Sequence, residues 1–196
     1  MYEKLNISEN DLRVLSLFSK GFDREYHVRE IQRILSMGLG TIQSTLKLLE
    51  KKTVLKSRVI GRSRVYAVNK TEISRFYFVM AETYKTILFV RKNILIKEVI
   101  EAITPHTGGI GLIFGSYAKG LEKETSDLDV FIAGKYEKNK IDIIGRRYGL
   151  DISVKNYPLK TFYRELRKDI LITEVLNDHI AFKGIDELIY AIFNYG

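Results

Sequence analysis

Apolar residues return every three or four positions through the first fifty residues, and every second position in several later stretches. Ser8 and Asp11 make a capping pair, Leu12, Leu15 and Phe18 follow at helical spacing, and Gly21 stops the helix. A second short helix is predicted over residues 28–36, with Val28, Ile31, Ile34 and Leu35 on one face. Met37-Gly38-Leu39-Gly40 reads as a tight connector. A third helix starting at Thr41 turns Ile42, Leu46 and Leu49 inward and Gln43, Ser44, Lys47, Lys51 and Lys52 outward. Residues 54–68, VLKSRVIGRSRVYAV, place two β-rich arms around Gly61-Arg62-Ser63 and predict a hairpin. Asn69 and Glu72 then open a long helix with Ile73, Tyr77, Met80, Tyr84 and Ile87 along one side. Phe76, Phe78 and Phe89 add more apolar surface than one face can hide. Another helix runs from about 93 to 103, where Thr104-Pro105 stops it. Residues 110–114, IGLIF, form a short buried strand. Helices follow Pro158 and occupy about 170–177, HIAFKG is an edge strand with His179 at its edge, and IDELIYAIFN is the last helix.

Composition narrows the chemistry. The chain has 196 residues, 45% hydrophobic and 29% charged, an ordinary folded composition. It has no cysteine, which excludes disulfides and Cys-based metal sites, and its three histidines (His27, His106, His179) argue against a His-rich one. The first residues carry no apolar signal core and no run of eighteen apolar residues occurs, so a protein without a membrane span, in the cytoplasm, is expected. The net charge of +8 is uneven: residues 1–75 hold 15 basic and 8 acidic side chains, the rest 17 and 16. A basic block joined to a nearly neutral one suggests a polyanion-binding module attached to something else. Helix, helix, turn, helix and basic hairpin, over about residues 5–70, resemble the winged helix-turn-helix family. The resemblance implies that Gln43, Ser44, Lys47 and Lys51 face the major groove of double-stranded DNA. Arg58, Arg62 and Arg64 of the hairpin would meet phosphate or the minor groove.

The strand at 110–114 leads into GSYAKGLEKETSDLDVFIAG. Its fixed elements are Gly115, Ser116, Ala118, Gly120, Ser126, Asp127 and Asp129. Seven positions at about one in fifteen each give a chance match on the order of 10⁻⁸ per start, so the combination carries weight that a lone GS or DxD would not. In a strand, residues i and i+2 share a face, so Asp127 and Asp129 project together while Leu128, Val130 and Ile132 turn to the core. Two adjacent carboxylates repel and want a cation, and their hard oxygens suit Mg²⁺. Gly115 admits a close backbone approach to phosphate, which Ser116, Ser126 and neighbouring N–H groups can cradle, and Lys119 or Lys123 can add charge where it is not simply solvated.

This pattern resembles the nucleotidyltransferase superfamily that contains DNA polymerase beta, and within it the minimal nucleotidyltransferases, over roughly residues 94–196. The family needs a third carboxylate on a neighbouring strand. Leu150-Asp151-Ile152-Ser153-Val154 alternates and offers Asp151. The resemblance makes Asp127, Asp129 and Asp151 the ligands of two Mg²⁺ ions and Asp151 the base for an attacking hydroxyl. The expectation is an α/β (α+β) chain: a winged helix over 1–70, a linker helix over 71–93, and over 94–196 a mixed sheet flanked by helices. Its reaction would move a nucleoside monophosphate, AMP from ATP, from a nucleoside triphosphate to a hydroxyl. The resemblance further implies a HEPN-type protein partner in a toxin–antitoxin pair, and the surplus apolar surface of the long helix is read as burial between the domains together with a homodimer surface. The rival reading is a DNA-binding regulator or antitoxin that binds nucleotide without transferring it.

Overall fold

The computed structural model describes residues 6–123 and 125–196. Close contacts divide the chain into two units, Met1–Ala81 and Glu82–Gly196.

In the first unit, α1 (Glu9–Phe18) opens on the predicted capping box: the Asp11 N–H donates to Ser8 Oγ at 3.2 Å and the Ser8 N–H to Asp11 Oδ2 at 2.8 Å. β1 (Tyr26–His27) leads directly into α2 (Val28–Leu35). The apolar face expected for α2 is narrower than its sequence suggests, since Ile31 is buried but Ile34 is exposed. Helix α3 (Leu39–Lys51) begins two residues before Thr41, because Gly38 takes the N-cap position and the expected connector is already helical. Ile42, Leu46 and Leu49 are fully buried, as their spacing predicts. β2 (Leu55–Ile60) and β3 (Ser63–Val68) pair from Leu55 opposite Val68 to Ile60 opposite Ser63. That register leaves a two-residue loop with Gly61 at φ +59°, the glycine-first pattern of tight hairpins. β1 adds to the far side of β3, giving the order β1-β3-β2.

Helix α4 (Glu72–Lys92) runs through the division between the units. Its cap differs from the expected Asn69–Glu72 pair. Thr71 Oγ1 accepts from the Ser74 N–H at 3.1 Å, while Asn69 donates to the Thr53 carbonyl and Glu72 pairs with Arg75. Its faces also depart from the expected stripe. Ser74, Tyr77, Phe78, Ala81, Glu82 and Phe89 are buried, whereas Ile73, Phe76 and Ile87 are exposed.

The second unit holds α5 (Ile94–Ile103), β4 (Ile110–Ile113), α6 (Gly115–Lys119), β5 (Leu128–Ala133), α7 (Lys138–Tyr148), β6 (Ile152–Tyr157), α8 (Leu159–Glu165), α9 (Ile170–Asn177), β7 (Ile180–Lys183) and α10 (Ile185–Tyr195). Its sheet has the order β6-β5-β4-β7, with β5 and β6 parallel and the other pairs antiparallel. This is the mixed α/β arrangement expected, with β7 at an edge. Helix α7, which links the two parallel strands, was not legible as an amphipathic element. One sheet face, bearing Leu128, Val130 and Ile132, packs with residues of α5 and α7 such as Val99, Ile103, Ile141 and Ile144. The other face bears Asp129, Phe131 and Ala133, and Phe131 meets the Tyr157 and Phe162 rings at 5.6 and 5.9 Å.

Candidate active site

The phosphate-loop glycine and the second carboxylate of the DxD pair meet at the ends of β4 and β5. The Phe114 N–H donates to the Asp129 carbonyl at 3.0 Å, which pins the start of the GS segment against β5. Gly115 follows with φ +69°, and a Cβ built there would stand 2.2 Å from Asp129 Oδ2. Both the backbone conformation and the space therefore require glycine. Asp127 is exposed just before β5, and Asp129 is half-buried within it. The Asp129 carboxyl is raised above its ordinary range, first by burial and then by the charge of Asp127, with Lys155 acting the opposite way.

The other residues expected at a nucleotide site are distributed around this pair. Ser116 lies half-buried in α6. Ser126 Oγ accepts from the Lys123 N–H at 2.9 Å, so this hydroxyl also braces the loop before Asp127. Lys119 Nζ stands 3.9 Å from Glu174 Oε1 of α9. Asp151 is joined to β5 through its backbone, its carbonyl accepting from the Leu128 N–H at 2.8 Å. Its side chain is exposed, and with Asp142, Gly145, Arg146 and Leu150 it lines a cleft of about 490 Å³. Among the described residues, no three carboxylate or histidine groups converge into a ready metal cage. Asp127 and Asp129 are thus brought together, and Asp151 adjoins them by backbone without closing a three-carboxylate cluster.

Two residues near Asp129 were missed in the sequence. Lys155 shares the strand periodicity of Asp151 and Ser153, which could have identified it. Glu174, whose charge also acts on Asp129, comes from a helix far along the chain and had no local signal.

The donor set fits a magnesium ion. Two carboxylates two residues apart, one just before β5 and one within it, the second already disfavoured as an anion by burial and by its neighbour, gain most from a divalent cation. Such an ion characteristically completes its shell with water and substrate phosphates, so two protein carboxylates suffice to hold it.

In the first unit, Gln43, Ser44, Lys47 and Lys51 lie on the exposed side of α3, and Arg58, Arg62 and Arg64 on the hairpin. The three arginines differ in their surroundings. Arg58 makes a two-pronged contact with Glu25, at 3.1 Å and 2.6 Å. Arg64 donates to Ser57 at 3.1 Å and lies 3.5 Å from Glu50. Arg62, in the loop, has no ion pair or hydrogen bond among the described residues. No described helix is long and apolar enough to cross a membrane.

His179 adjoins the start of β7, at the strand's edge. It is buried before β7, with Nε2 3.1 Å from Glu82 Oε2 and Nδ1 3.1 Å from the Leu176 carbonyl. Lys85 Nζ approaches the other Glu82 oxygen at 2.7 Å. Burial would raise the Glu82 carboxyl, but the charges of Lys85 and His179 outweigh it and hold it at about 2.

Residues 111–189 match the family described as nucleotidyltransferase domain. A protein of Methanocaldococcus jannaschii whose provisional name is protein adenylyltransferase is 28% identical over 88 residues, covering 43% of this chain and 95% of its own length. No solved structure matches the chain. The matched segment contains the GS loop, both carboxylates of the DxD pair and Asp151, together with strands of the mixed sheet. Residues 111–189 therefore match a nucleotidyltransferase domain, and with the adenylyltransferase-named relative they support a nucleotidyltransferase enzyme.

Proposed function

We propose that the enzyme transfers AMP from ATP, with Mg²⁺, to a hydroxyl on a protein acceptor, and that residues 1–70 form a winged helix-turn-helix that binds double-stranded DNA. The observation that carries the first part is the Asp127–Asp129 pair set against a glycine that leaves room only for bare backbone. Asp127 and Asp129 would hold the metal, which supplies neutralisation of phosphate charge and polarisation of the phosphoryl group. Ser116, with Gly115 and Ser126, orients the phosphates, and Lys119 adds positive charge beside them. Asp151, at the neighbouring strand, accepts the proton of the attacking hydroxyl. The acceptor class follows from the relative's name, and a HEPN-type partner protein is the first acceptor to test.

The basic hairpin and the polar outer face of α3 support DNA binding. The stripe of Ile73, Phe76 and Ile87, exposed at 53%, 55% and 48%, supports a homodimer, which light scattering at micromolar concentration would detect. One observation favours the regulator reading: the three carboxylates do not form a closed cage. The deciding experiment incubates the full chain with labelled ATP, Mg²⁺ and lysate, with and without the product of the neighbouring gene. Label on a protein band, lost in Asp129→Asn, is expected. Nucleotide binding with no labelled acceptor would favour the regulator.

A further inference from the structure

The sheet face that carries Asp129 bears a second charged side chain, contributed by the edge strand. Strands β5 and β6 run parallel in register, with Asp129 opposite Ser153 and Phe131 opposite Lys155. Phe131 and Tyr157 meet on this face, while Val130, Ile132, Ile152 and Val154 belong to the core on the other. Strand alternation therefore places Lys155 on the Asp129 side, one residue pair along, about 7 Å from Ser153. Strand β6 is the outer strand of the sheet, and Lys155 is exposed. It has no hydrogen bond or ion pair among the described residues. Of the groups whose charge acts on Asp129, it is the cation, set against Asp127 and Glu174. Another lysine near the site, Lys119 of α6, stands beside Glu174, whereas Lys155 comes from strand β6.

We propose that Lys155 is a substrate-binding residue that turns between two anions: the nearby Asp129 carboxylate in the empty enzyme, attracted through space rather than ion-paired, and the phosphate oxygens of a nucleoside triphosphate once a metal ion has taken the Asp127–Asp129 carboxylates. The inference rests on the nucleotidyltransferase reading above. Its chemistry is one of charge and reach. A lysine is a compact cation on a flexible stem, so it can turn from one anion to another without moving the strand. Before substrate arrives, it competes with a divalent cation for the same carboxylates. After substrate arrives, it adds attraction to an anion of several charges. Removing it therefore has opposite effects on the two ligands, which a purely structural residue would not produce.

The test uses the full chain as wild type, Lys155→Gln and Lys155→Arg. Calorimetry measures two probes, Mn²⁺ alone and the α,β-methylene analogue of ATP with saturating Mg²⁺. The Gln variant should bind Mn²⁺ about 3-fold more tightly and the analogue about 3- to 10-fold more weakly, the range expected for one charge at this separation near a protein surface. The Arg variant should stay close to wild type on both. A Gln variant unchanged on both probes, or moved in the same direction on both, overturns the role of Lys155. A wild type that binds neither probe overturns the nucleotidyltransferase reading, and this inference with it.

Discussion

Gly115 and Asp129 fit together only because position 115 lacks a side chain. A Cβ there would lie 2.2 Å from Asp129 Oδ2 and 3.0 Å from its Cγ. The left-handed φ of +69° adds a second reason. Gly115→Ala should therefore cost about 1–2 kcal/mol in backbone strain and also push Asp129 out of place. Thermal unfolding should show a modest fall, and calorimetry with Mg–ATP a loss of binding well beyond that fall. Wild-type nucleotide affinity in the alanine variant would show that the loop does not hold substrate as described.

Asp129 is an electrostatic compromise. Burial and Asp127 raise its carboxyl pKa, so its ionised form opposes folding at neutral pH. The sign follows directly: a carboxyl whose folded pKa lies above its unfolded value weakens the fold once both states are ionised. Asp129→Asn should therefore be neutral or slightly stabilising at pH 7 by denaturant unfolding. The same variant should lower Mn²⁺ and Mg–ATP affinity by at least about 10- to 100-fold, the scale seen even for groups behind a metal ligand. A clear loss of stability together with unchanged metal binding would contradict this assignment.

Asp151 should separate binding from chemistry. Its backbone joins β5, but its carboxylate stands outside the Asp127–Asp129 pair. Asp151→Asn should leave Mg–ATP binding within a few-fold while transfer falls by roughly 10² or more, as for loss of a positioned base. Full transfer in this variant would move the role to another carboxylate, with Asp142 across the same cleft the next to change.

The buried Glu82–His179–Lys85 group makes an acid-sensitive contribution. Glu82 titrates at about 2 in the fold against an ordinary 4.5. A depressed carboxyl stabilises the fold above its unfolded pKa, and that stabilisation is lost as pH falls from about 4.5 towards 2. Glu82→Gln should destabilise by about 3–5 kcal/mol at pH 7, since it removes the charge that pairs with Lys85 inside the fold. The gap between wild type and variant should narrow across that acid window. A gap of constant size would mean that packing rather than charge is lost.

In the hairpin, Arg62 and Arg58 should respond differently. Arg62→Ala should weaken double-stranded DNA binding across sequences and make the salt dependence shallower by about one unit. Glu25→Gln should strengthen binding, because Glu25 now occupies the Arg58 guanidinium. Fluorescence anisotropy at several salt concentrations reads both effects. Unchanged affinity in both variants would remove the hairpin from the DNA interface.

Much of this was legible because local chemistry dictates it. The Ser8–Asp11 cap, the inward Ile42, Leu46 and Leu49, and the hairpin around Gly61 follow from hydrogen bonding, helical period and turn geometry within a few residues. The Asp127–Asp129 pair was legible for the same reason, since two residues along a strand share a face. Spacing along α4 does not decide which of its apolar residues are covered. Its sequence offers apolar residues on several sides, and only packing decides that Phe78 and Phe89 go in while Phe76 and Ile87 stay out.

By itself the sequence determined the elements and the adjacent donors, because those depend on spacing along the chain: the GS loop, the paired carboxylates, the basic hairpin and the excess of positive charge before residue 76. Tertiary structure alone decided what depends on distances across it. It set Asp129 against position 115, placed Lys155 and Glu174 beside that carboxylate, and buried His179 opposite Glu82, 97 residues away in sequence. It also fastened Arg58 and Arg64 to Glu25 and Glu50. Charge and sterics act through space, so no periodicity along the chain carries these pairings until the strands and helices are packed.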